Sequence, residues 1–127
     1  MGRDHRKLRV FQLADRLVLD VYQASATFPI EERFGLQSNI RRAAVSVPVN
    51  IVEGSARLHE AEYVNFLNIS NSSSAETSYL SNLSARLGFM DPKVAGVLER
   101  DYGELRASLT ALIASFGSRS RTWNRRT

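Results

Sequence analysis

Fifteen arginines and two lysines supply the positive charge of this 127-residue chain, and their placement is uneven. Residues 1–9 hold Arg3, Arg6, Lys7 and Arg9 against Asp4, a net charge of +3, and residues 117–127 hold Arg119, Arg121, Arg125 and Arg126 with no acid, a net +4. The whole chain carries +4, so the stretch between the two ends is acidic by three charges. Arginine clusters contact phosphates and release counterions, and Trp123 offers a face on which an unpaired base stacks. These residues are the candidate nucleic-acid contacts; the competing reading is a pair of solvated tails.

Other chemistry finds little support. The chain has no cysteine, hence no thiolate metal site, disulfide or cysteine nucleophile. Its two histidines, His5 and His59, have no second ligand at metal spacing. No glycine-rich phosphate loop is present, no serine has a nucleophile-elbow context, and the carboxylates are scattered. The expectation is a non-enzymatic protein without metal or cofactor. The sequence opens with no leader and has no apolar run approaching the ~18 residues of a membrane span, so a soluble cytoplasmic protein is expected.

Helical periodicity dominates the elements that must position the arginines. One segment covers about 6–27, with Val10, Phe11, Ala14, Leu17, Val18, Val21 and Tyr22 on one side. Pro29 and Gly35 break it. A second covers about 37–56 with Ser38 as N-cap, and a third about 59–88 with an apolar line of Phe66, Ile69, Leu80, Leu83 and Leu87. The run "SNSSSAETS" lies inside the third, its small residues allowing close helix approach. Asp91 as N-cap and Pro92 at the first position open a fourth helix over about 92–116. The fold expected is all-α: one domain over 1–127, an up-down-up-down antiparallel four-helix bundle with basic tails at 1–9 and 117–127. That topology brings both tails and the turn around Arg57 and His59 to one end.

The second helix, "IRRAAVSVPVNIVEGSAR", is the most informative element. On a helical wheel Asn39, Arg42, Ser46, Asn50, Glu53 and Arg57 form a narrow polar ridge. Ile40, Ala44, Val47 and Ile51 form one apolar face; Val45, Val49, Val52 and Ala56 form another. Two apolar faces call for two sets of neighbours, the second being more of the bundle or another subunit. Pro48 costs a plain helix ~3 kcal/mol, which points to a packing or assembly role. Antiparallel pairing with the third helix places Arg41 opposite Glu76, and the expectation is that Arg41 or Arg42 holds Glu76 in a buried ion pair. Gly54 marks the end of the helix or a bend in it. Within the ridge, Arg42, Asn50 and Arg57 form the second candidate nucleic-acid surface.

The stretch from Phe28 to Leu36, the run from Arg41 to Gly54, and Phe66, Leu67, Ile69, Ser73 and Glu76 together match a specific pattern. They resemble the four-helix-bundle family encoded in intervening sequences of bacterial large-subunit ribosomal RNA genes, which is similar to the accessory variability protein of diversity-generating retroelements. The chain departs from the pattern at Asn71, usually basic, and Ser72, usually glycine. The resemblance implies an up-down bundle assembling as a ring-shaped homopentamer. It also implies a small basic protein that binds RNA or DNA, or a reverse transcriptase partner. Two functions follow: an oligomeric nucleic-acid-binding accessory protein whose tails contact phosphates, or a structural adaptor for a protein such as a retroelement reverse transcriptase.

Overall fold

Apolar residues spaced four and three apart form a helix with one buried stripe, and Val10, Ala14, Leu17 and Val21 do so in the first helix, α1, Arg9–Ser25. The computed structural model describes the backbone of residues 3–124 and the side chains of residues 3–117. Helix α1 is shorter than the 6–27 periodicity implies. Leu8 is extended and separates it from a 3-10 turn at His5–Lys7, which Asp4 caps by accepting the Arg6 N–H at 3.1 Å.

Helix α2, Leu36–Ser55, starts ahead of Ser38, which is exposed and plays no capping role. Glu32 caps it instead: its Oε1 accepts the Leu36 N–H at 3.1 Å. A Cβ on Gly35 would lie 3.0 Å from that same oxygen, so the glycine leaves room for the capping carboxylate. Ile40, Ala43, Ala44, Val47, Pro48 and Ile51 are buried. Pro48 thus faces the interior, and next to it the Val47 carbonyl accepts a hydrogen bond from Ser70 Oγ at 2.8 Å.

Helix α3, Glu60–Arg86, corrects the expected apolar line. Its buried positions are Tyr63, Leu67, Ser70, Ser74, Thr77, Ser81 and Ser84, whereas Ile69 and Leu87 are exposed and Phe66, Leu80 and Leu83 half-buried. The buried stripe is therefore mostly hydroxyls. Ser74, Thr77, Ser81 and Ser84 each donate to the carbonyl four residues back at 2.7–2.9 Å, so none is desolvated without a partner. The small-residue reading of "SNSSSAETS" holds. Helix α3 ends at Gly88 (φ +82°), with Phe89 N–H bonded to Ser84 O and Gly88 N–H to Ala85 O, the Schellman arrangement that favours glycine.

Helix α4, Pro92–Asn124, opens as expected, with Asp91 Oδ1 accepting the Lys93 N–H at 2.8 Å. It continues past residue 116, so residues 117–124 extend the helix and are not a separate tail. Leu98, Tyr102, Leu105 and Leu109 are buried together with Ala95; Ile113 and Phe116 are half-buried, and Val94 faces outward. Burying each large apolar side chain of this core contributes ~1.5–3 kcal/mol.

Each helix packs on its chain neighbours and α1 also packs on α4, closing a four-helix bundle with no strand among the described residues. The pairs Ser46–Ser73, Val47–Ser70 and Gly54–Tyr63 run in opposite directions along α2 and α3. Tyr63–Phe116 and Asn71–Thr110 do the same along α3 and α4. Among the described residues no helix is long and apolar enough to cross a membrane.

Candidate nucleic-acid interface

The N-terminal segment, the α2–α3 turn and the α4 end meet at one end of the bundle. Arg3 donates from Nη1 to the Arg57 carbonyl at 3.2 Å, and its guanidinium lies 4.2 Å from the centre of the Tyr63 ring. Tyr63 meets Phe116 edge to face, with centroids 5.6 Å apart. Arg57, at the end of α2, lies 4.9 Å over the Phe66 ring. Cation–π contacts of this kind hold guanidinium planes flat on aromatic faces.

Gly54 makes this arrangement possible. A Cβ there would sit 2.8 Å from Phe66 Cβ and 3.1 Å from Tyr63 Cδ1, so only glycine lets α2 approach α3 closely enough to seat both rings. Burial holds the Tyr63 phenol above its usual pKa, while Arg3 and Ser55 oppose the shift. Ser55 Oγ lies beside that phenol yet is buried without a hydrogen bond of good geometry. In the core, burial pushes Tyr102 far higher; its hydroxyl also approaches Thr77 without completing a bond.

The candidate residues separate into groups. Arg3 and Arg57 come together, and Arg9 sits exposed in the first turn of α1 with Lys7 exposed just before it. Arg6 is occupied by Asp4, Nε to Oδ1 at 3.0 Å, which holds the Asp4 carboxyl below its ordinary pKa. The side chains of Arg119, Arg121 and Trp123, and all of Arg125 and Arg126, lie outside the described residues.

The ridge of α2 divides. Arg42 bonds Asn39 at 3.1 Å on the surface, while Asn50 donates to Ser46 and Ser46 meets Ser73 at 2.8 Å across the α2–α3 seam. Glu53 is exposed beside a groove between α1 and α2 lined by Phe11, Val18, Val45, Pro48 and Val49. The second apolar face of α2 is thus left partly uncovered, with Val49 43% exposed.

The expected ion pair of Arg41 or Arg42 with Glu76 does not form. Glu76 is exposed, and Arg41 turns toward the end of α1, donating to Ser25 Oγ at 2.9 Å and Tyr22 O at 3.1 Å. The buried carboxylate is instead Asp101, 11% exposed at its side chain, held by Arg16 from α1 at 3.1 Å and by the adjacent Arg100 at 3.4 Å. Sequence reasoning missed this clamp because Arg16 and Asp101 are far apart in the chain. It also missed Tyr63 and Phe66 as partners of arginines, and Phe116 as the neighbour of Tyr63, although the antiparallel pairing of α2 with α3 brings Gly54 to Tyr63. Among the described residues no group of His, Asp or Glu side chains is arranged to hold a metal ion.

Four antiparallel helices, with Arg3 and Arg57 set over aromatic rings at one end, define an all-α bundle. Over residues 6–111 the chain matches the family model described as 23S rRNA-intervening sequence protein. It belongs to that family. Its fold is similar to the crystal structure of a protein with unknown function from the S23 ribosomal protein family of Bacteroides thetaiotaomicron, with a TM-score of 0.75, 22% identity, and 82% of this chain and 97% of that one covered. No curated protein matches the chain.

Proposed function

We propose that this chain is a non-enzymatic, oligomeric accessory protein of the cytoplasm that binds RNA or RNA/DNA through the basic end of its bundle. The observation that carries this reading is the meeting of Arg3 with Arg57 at the end toward which α4 delivers its own arginine-rich terminus. The family's description, which ties it to 23S ribosomal RNA, agrees with an RNA ligand. Carboxylates share this end: Glu53 closes α2, and Glu60 and Glu62 open α3. The cationic excess therefore rests on the residues beyond 117, and their removal is the direct test. Deleting residues 118–127 should lower both RNA affinity and its salt dependence while preserving the assembly. Equal binding by the two forms would overturn the role of this terminus.

The assembly proposed is a ring-shaped homopentamer. The α1–α2 groove supports a second copy as neighbour, and the family resemblance supplies the number. Light scattering at micromolar concentration that returned a 14.2 kDa monomer would reject it.

A second reading, a structural adaptor for a protein such as a retroelement reverse transcriptase, is favoured by the opposite end. There Ile30 and Phe34, 70% and 84% exposed, project from the α1–α2 turn, and exposed apolar residues mark protein contacts. It would make this chain a relative in role of the accessory variability protein. RNA binding by the isolated protein that strengthens as salt falls favours the first reading; its absence favours the second.

A further inference from the structure

We propose that Arg57, laid on Phe66, is a seat for one unpaired base, so that the ligand of this end is single-stranded nucleic acid and not duplex. The proposal rests on the nucleic-acid reading above and specifies its ligand. Arg57 is exposed at the end of α2, and its guanidinium carbon lies 4.9 Å over the half-buried Phe66 ring. The cation is thus backed by the ring on one side while the Arg57 side chain as a whole remains exposed. A guanidinium plane is weakly hydrated and stacks readily on aromatic systems, and splayed-out bases are held between such planes and aromatic rings.

Three further features make this a seat and not a stray surface cation. No carboxylate among the described residues forms an ion pair with Arg57 or with Arg3. The arginine backbone is fixed, because Arg3 donates to the Arg57 carbonyl at 3.2 Å and the Arg57 N–H bonds Gly54 O at 3.0 Å. The ring beneath is fixed too, since Phe66 Cβ packs where a Gly54 side chain would stand. Arg3, stacked on Tyr63 and bonded to Arg57, supplies a second cation beside the seat for the phosphate of the same nucleotide. Glu62, exposed in the first turn of α3, opposes a continuous track of phosphates across the neighbouring surface. A duplex offers such a track and keeps its bases stacked within it; a single strand can release one base to Arg57 and route its phosphates elsewhere.

The test uses the full chain with an oligonucleotide of about 12 nucleotides carrying 2-aminopurine, as single-stranded RNA, single-stranded DNA and RNA duplex. Arg57→Lys keeps the charge and loses the plane. The parent chain should bind the single strands more tightly than the duplex and change 2-aminopurine fluorescence. Arg57→Lys should weaken single-strand binding by about 5- to 100-fold, with duplex affinity, salt slope and melting temperature unchanged. The RNA and DNA arms show whether the ribose hydroxyl adds to the base contact. Arg57→Lys binding single strands as tightly as the parent would overturn the seat and leave the nucleic-acid reading intact. A parent chain that binds no oligonucleotide at low salt overturns both.

Discussion

Arg41 and Tyr22 are joined twice: the guanidinium lies 4.4 Å over the tyrosine ring and donates to the same residue's carbonyl at 3.1 Å. With its bond to Ser25 Oγ and the Gln37 bond to Ser25 O at 2.9 Å, Arg41 closes the C-terminus of α1 from the neighbouring helix. The last carbonyls of a helix have no partners within it and carry its negative dipole end, so a cation there is doubly favourable. Arg41→Met should lower stability by about 1–3 kcal/mol, and Arg41→Lys should restore little of it, since an ammonium cannot lie flat on the ring and reach both oxygens. Urea unfolding measures both; a Lys variant equal to the parent would discount the planar contact.

Two glycines separate packing from propensity. Gly54→Ala places a methyl group 2.8 Å from Phe66 Cβ and should cost about 1–3 kcal/mol by forcing α2 from α3. Gly103→Ala, in α4 with nothing within 4 Å, should gain about 0.5–1 kcal/mol from helix propensity. Paired thermal melts decide it, and a neutral Gly54→Ala would refute the close approach.

Two carboxylates distinguish burial from exposure. Glu76→Gln should leave stability within about 0.5 kcal/mol of the parent, because the side chain faces solvent. Asp101→Asn should cost about 1–3 kcal/mol, since it discharges the partner of Arg16 at a side chain only 11% exposed. Chemical denaturation that ranked the two the other way would contradict this assignment.

The acid side of the pH profile should show Asp4. Its hydrogen bonds to Arg6 lower its pKa from 3.8 in the folded state, so its contribution is present above about pH 3.8 and lost as pH falls through the lower folded value. Between pH 5 and 2 the Arg6 amide resonance should shift as its acceptor is protonated, and Asp4→Asn should abolish the shift. A resonance indifferent to pH in the parent would rule out the cap.

Much of this architecture was legible in the sequence, and the misreading of α3 has one cause. Helix α4 announces itself through Asp91, Pro92 and an unbroken apolar stripe, and α1 through Val10 to Val21. Helix α3 misleads because hydrophobicity is a poor guide when the buried residues are serines. Its true stripe repeats at spacings of four and three through Ser70, Ser74, Thr77, Ser81 and Ser84, while larger apolar residues such as Ile69 and Leu87 lie outside. That wrong phase put Glu76 in the core and created a need for a partner that Arg41 does not meet. At the candidate site, the charge was visible in the sequence. The rings beneath Arg3 and Arg57 were not, because their placement depends on a close approach at Gly54.

The hydroxyl stripe of α3 also bears on how stability varies with temperature. A seam built from serines exposes comparatively little hydrocarbon when the bundle opens, and polar exposure lowers the heat capacity of unfolding where apolar exposure raises it. The molecule should therefore unfold with a heat-capacity increment at or below the usual ~12–15 cal/mol/K per residue. Its stability curve should be correspondingly broad and shallow, and cooling should weaken it less than a leucine-lined bundle of equal size. Scanning calorimetry across a pH series measures that increment, and a value well above the usual range would mean that the seam exposes more hydrocarbon than its serines allow.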